Sequence, residues 1–106
     1  MSDAIVITCS CPSHTEAESI ARMLLEKKLI ACAQLTAPVR SLYWWRGAIQ
    51  DESEVMVSMK SLASLYPLIE KAILARHSYE VPEIAASPLT MVSPAYLAWL
   101  REAVDA

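Results

Sequence analysis

Between Glu54 and Lys60 the chain alternates without a break. Val55, Val57 and Met59 fall on one face of an extended strand, and Glu54, Met56, Ser58 and Lys60 on the other. Ala4 to Cys9, AIVITC, is a short β-branched run and predicts another strand. Pro12 closes it, and the SHTE that follows predicts a helix start, with Ser13 as N-cap and Glu16 as its capping-box partner. Ala17, Ile20, Ala21, Leu24 and Leu25 then recur at helical spacing, which predicts a helix to about Leu29. Leu65, Leu68, Ile69, Ala72 and Ile73 repeat that pattern farther on. Pro67 fits the first turn of this second helix if Ser64 caps it, because first-turn N–H groups have no intrahelical partner. Ala33 to Arg46 is a further extended segment, interrupted by Pro38; Gly47 punctuates it and predicts a hairpin into the alternating strand. Glu83 to Leu89 is a fourth strand whose Pro88 marks an edge or an end. Ser93 as N-cap and Pro94 at the first helical position open a C-terminal helix.

The predicted order is βαββαβ with an extra C-terminal helix. Two right-handed βαβ halves on one antiparallel sheet make a ferredoxin-like α+β sandwich, a single domain over residues 1–106. Both long helices then cover one face of the sheet and leave the other bare. The stretch SLYWWRG sharpens this point. Neighbouring side chains of a strand point to opposite faces, so Trp44 and Trp45 need two apolar surfaces. Trp44, sharing a face with Leu42, is expected in the core of its own chain. Tyr43 and Trp45, with polar handles suited to half-wet contacts, are expected against a neighbouring chain. The alternative cover for the bare face is the C-terminal helix, through Tyr96, Leu97 and Leu100.

Composition favours association. Apolar residues make up 55% of the 106, more than a domain of this size buries alone. A net charge of −3 provides no footprint for nucleic acid or an anionic membrane. The N-terminal stretch lacks a basic n-region, its apolar run is too short for a membrane span, and the three cysteines read as thiols. A cytoplasmic protein is expected.

The candidate chemistry is sparse. Cys9 and Cys11 form a C-x-C at a strand end with His14 close by; thiolates two apart on a strand share a face and suit a soft metal such as Cu(I) or Zn(II). Buried cysteines also serve as small hydrophobes, the expected role of Cys32. His77 follows the second helix, where a cation favours the helix dipole. With one glycine there is no phosphate-cradling loop, and no serine or cysteine sits in a nucleophile motif, so no enzymatic activity is expected.

EKKLIACAQL, SLYWWRG, Glu54 and Lys60, HSYEVPEI and YLAWL, in that order and spacing, resemble the CutA family of divalent-ion tolerance proteins over nearly the whole chain. The resemblance implies a ferredoxin-like fold, a homotrimer, and a likeness to PII signalling proteins. Some members of that family bind copper through a first-strand cysteine and two consecutive histidines. Carried over, the cysteine is Cys9 and the second histidine is His77, while the first falls on Arg76, which cannot ligate a metal. Copper or another divalent ion is therefore expected to bind weakly at Cys9 and His77, with Cys11 or His14 as substitutes for the missing ligand. The competing expectation is a sensor module that binds a small molecule or anion in an intersubunit cleft lined by Trp45, Glu54, Lys60, Tyr79 and Glu83.

Overall fold

A computed structural model describes residues 2–104. The strands are β1 (Ala4–Cys11), β2 (Cys32–Leu35), β3 (Val39–Trp45), β4 (Ala48–Leu62) and β5 (Ile84–Pro88). The helices are α1 (His14–Glu26), α2 (Tyr66–Arg76) and α3 (Pro94–Ala103). The sheet runs β2-β4-β1-β5, with β3 paired to β4 alone, and every pairing is antiparallel. This is the α+β, ferredoxin-like arrangement read from the sequence, with the first edge strand split in two at Pro38.

Alternation builds the core. Ile5, Ile7, Cys9 and Cys11 of β1 lie on the same sheet face as Val55, Val57 and Met59 of β4, and all seven are buried. Ala17, Ile20 and Leu24 of α1 and Ile69 and Ile73 of α2 close over them in one apolar cluster. Leu100 of α3 joins that cluster, while Tyr96 and Trp99 stay over a third exposed. The opposite face, with Val6, Thr8, Met56, Ser58 and Lys60, is only partly covered.

Strand β4 is long enough to serve two purposes. Its inner half, Val55–Leu62, lies between β1 and β2; its outer half pairs with β3 from Trp45↔Ala48 to Val39↔Glu54. The resulting two-stranded arm draws the chain out to 44 × 25 × 24 Å. Arg46 (φ 50°) and Gly47 (φ 79°) turn it, both in the left-handed region. That is the type I′ turn whose twist matches a hairpin, and it explains where the only glycine stands.

Several expectations are corrected. Helix α1 ends at Glu26 and not near Leu29, because Lys28 adopts φ 57°. Leu29 N–H then donates to the Leu24 carbonyl and Lys28 N–H to that of Leu25, a Schellman stop made without glycine. Ser64 makes no cap; it lies in a 3-10 turn, Ala63–Leu65, and the residue preceding α2 is Leu65. Cys32 is only half-buried, its thiol 3.7 Å from the Tyr96 hydroxyl. Trp44, expected in the core, is instead 71% exposed; Trp45 is 38% exposed, and both line a cleft of their own chain.

Candidate metal centre and the adjoining cleft

Three elements meet where β1 ends. The strand pleat sends Cys9 and Cys11 to the same side, beneath the first turn of α1. At the far end of α2 the backbone leaves the helix at His77, whose N–H closes on the Ile73 carbonyl at 2.8 Å. The imidazole swings inward until it is fully buried, so it does not serve as an exposed charge on the helix end. The sulfurs of Cys9 and Cys11 and a ring nitrogen of His77 lie within 4.8 Å of one another, the only such donor group among the described residues.

Hydrogen bonds set the ring. Tyr79 N–H donates to Nδ1 at 3.0 Å, so Nε2 carries the proton and donates to the Ser10 carbonyl at 2.8 Å. Nε2 is also the nitrogen nearest Cys11 Sγ, at 3.8 Å. Glu16 Oε2 stands 3.3 Å from Nδ1 and accepts from both the N–H (3.1 Å) and the hydroxyl (3.0 Å) of Ser78. Ser13 caps α1 by accepting from Glu16 N–H, but the Glu16 carboxylate bridges to the His77–Ser78 corner in place of the reciprocal capping bond. The two thiols are polarised in opposite senses. The neighbouring Cys11 sulfur, with burial behind it, pushes the Cys9 thiol up, while the Cys9 sulfur pulls Cys11 down against the effect of burial.

Beside this corner an open cleft of about 870 Å³ runs between the arm and the loop after α2. Trp45, Glu54, Tyr79 and Glu83, expected along an intersubunit cleft, line this cleft within one chain; Lys60 does not. Lys60 pairs with Val6 and Cys32, roughly 20 Å along β4 from Glu54, and its ammonium lies 3.5 Å from the Gln34 amide oxygen. Glu54 is buried and accepts from the Tyr79 hydroxyl at 2.9 Å. Burial and the Glu54 carboxylate together push the Tyr79 phenol up, so it remains a donor. Glu52, Glu54, Glu80 and Glu83 face a single cation, Arg46, which is paired with Glu80 at 3.0 Å. Such a lining repels anions.

The family described as CutA1 divalent ion tolerance protein matches residues 5–103. The chain belongs to that family. Protein CutA of Mus musculus is 36% identical over 96 residues, covering 91% of this chain. The chain spans about half, 54%, of that relative's length. The divalent-cation tolerance protein CutA of Thermus thermophilus is 34% identical over 102 residues, 96% of this chain and 97% of its own. Among solved structures, the protein described as the periplasmic divalent cation tolerance protein CutA of Archaeoglobus fulgidus superposes with a TM-score of 0.93. It is 35% identical, with 96% of this chain and 99% of that one covered. No helix among the described residues is long and apolar enough to cross a membrane.

Within this CutA1 chain, Cys9 and His77 come together although 68 positions apart, and Cys11 comes with them. His14 and Arg76 do not: His14 is exposed on the first turn of α1, and the Arg76 guanidinium reaches to Ser19 at 3.3 Å. Sequence reasoning missed Glu16 and the Ser10 carbonyl. Glu16 carried a signal, its capping-box position, but that pattern names the helix end and not the distant histidine. The donors suit a thiophilic ion: two sulfurs and one imidazole in a buried corner, without an oxygen-rich shell.

Proposed function

We propose that this CutA1-family chain contributes to divalent-metal tolerance by binding a metal ion, copper first among them, at Cys9 and His77, and that it acts by binding or signalling and not by turnover. One observation carries the reading: a strand cysteine and a helix-end histidine from opposite parts of the sequence present their donor atoms within 4.8 Å in a buried corner. A reducing, cytoplasmic setting suits the three free thiols. We take the working unit to be the homotrimer that the family resemblance implies; the uncovered apolar stripe of Leu42, Trp44 and Ile49 on the arm supports association.

The test is metal titration of the reduced protein followed by native mass spectrometry, with Cys9→Ser and His77→Ala alongside. Stoichiometric metal that is lost in both variants supports the reading; binding unchanged in both removes it. A second reading is favoured by the cleft: a PII-like sensor that takes a small molecule between Trp45, Tyr79 and the Glu54 and Glu83 carboxylates. Its acidic lining narrows the ligand to a neutral or cationic molecule. Binding of such a ligand that survives Cys9→Ser but not Trp45→Ala would establish it.

A further inference from the structure

We propose that Cys11 completes the site as a third ligand, so that Cys9, Cys11 and His77 hold a thiophilic d10 ion, Cu(I) or Zn(II), with Glu16 as the residue that orients His77. This rests on the reading of a metal at Cys9 and His77 and goes beyond it in ligand set, ion class and positioning residue.

The argument begins with what Arg76 leaves open. A guanidinium cannot ligate, and this one points away to Ser19. His14 lies exposed on α1. Cys11 is fully buried, with Sγ 3.8 Å from His77 Nε2, and it shares its strand face with Cys9. Two sulfurs and one imidazole are the donor set of soft and borderline d10 ions; hard ions such as Mg(II) and Mn(II) take carboxylate, carbonyl and water oxygens.

The histidine must change tautomer to take part. In the hydrogen-bond pattern described above Nε2 holds its proton against the Ser10 carbonyl and offers no lone pair. For Nε2 to ligate, that proton leaves and Nδ1 gains one, so the imidazole stays neutral, while the thiol protons pass to solvent. Glu16 Oε2, 3.3 Å from Nδ1, is the acceptor waiting for the new N–H, the carboxylate–histidine arrangement that fixes ring orientation at metal centres. Tyr79 N–H, 3.0 Å from Nδ1, then loses its acceptor. Tyr79 is a wall of the cleft, so loading is reported there.

The full chain, reduced, is titrated with Cu(I), Zn(II), Mg(II) and Mn(II) against competing chelators. The expected result is one Cu(I) or Zn(II) per chain and no retention of Mg(II) or Mn(II). Cys11→Ser should weaken binding by about tenfold or more, and Glu16→Gln by about tenfold. Nitrogen NMR of the imidazole should show the proton moving from Nε2 to Nδ1 on loading, together with a shift of the Tyr79 amide. That reversal is absent from any purely structural role of Glu16 or Cys11. If Cys11→Ser fails to fold, cadmium-substituted wild type supplies the same answer, because proton–cadmium couplings must reach the β-protons of both Cys9 and Cys11. Tight binding unaltered by Cys11→Ser, or cadmium coupled to Cys9 alone, overturns the proposal and leaves the Cys9–His77 reading standing. No d10 ion bound by wild type ends the proposal.

Discussion

The two halves of β4 obey one rule and meet opposite fates. In the inner half Val55, Val57 and Met59 alternate with polar positions and are buried, because β1 and β2 flank the strand and two helices cover it. In the outer half Ile49 keeps to that face, but Asp51 and Ser53 follow it there, and it is 64% exposed, opposite Trp44 at 71% and beside Leu42 at 63%. Alternation decides which residues share a face; only the surrounding elements decide whether that face is dry. An apolar stripe held out on a two-stranded arm is stable in water only with a second surface against it.

The largest expected effect lies in the inner region. Ile7→Ala empties a fully buried position between β1, β4 and the helices, and should cost about 2–5 kcal/mol. Chemical denaturation should show a lower midpoint at an unchanged slope. Next comes Trp44→Ala on the arm. It should change protomer unfolding by less than about 0.5 kcal/mol, as surface substitutions do, but make assembly concentration-dependent. Sedimentation at several concentrations reads the difference. If Trp44→Ala lowers stability as Ile7→Ala does, or leaves a dilution-resistant assembly untouched, the division into a dry inner half and a contact-forming arm is wrong.

The same division explains what could be read from the sequence. Helix α1, strand β1 and inner β4 were legible because their apolar periods match the elements that bury them. The core assignment of Trp44 failed because period 2 separates the faces without naming which one meets the chain's own core. The α1 stop at Lys28 was hidden because a lysine took the left-handed position that a glycine would have advertised. At the candidate metal corner, Cys9 and His77 followed from family resemblance, and Cys11 was visible as half of a C-x-C and as one of two substitutes for the missing ligand. Glu16 depended on a meeting of residues 16, 77 and 78 that local pattern does not encode.

The turn of the arm offers a smaller perturbation. A Cβ at Gly47 would meet no atom within 4 Å, so the cost of Gly47→Ala comes from φ 79° alone. A left-handed L-residue costs about 1–2 kcal/mol. The loss should appear as faster amide exchange over Val39–Glu54 with little change across β1 and inner β4. Uniformly faster exchange would mean that arm and sheet open together, and that the two halves of β4 are one cooperative unit.

The smallest expected effect comes from the ion pair on the arm. Arg40 grips Asp51 with two hydrogen bonds, from Nε at 2.8 Å and from the guanidinium end at 2.6 Å. That bond holds the Asp51 carboxyl below its ordinary value of 3.8. A carboxyl lowered in the folded state contributes stability that is present above the unfolded value. The contribution fades as pH falls below 3.8 and through the lower folded value. Both side chains are largely exposed, so salt screens the pair and its effect on global unfolding is slight. Asp51→Asn should therefore speed amide exchange on the arm slightly at neutral pH and low salt. The difference from wild type should shrink at high salt and vanish in acid. A difference that persists in strong acid or ignores salt would show that Asp51 matters to the arm through packing, and the exposed half of β4 would then owe its order to more than its partner surface.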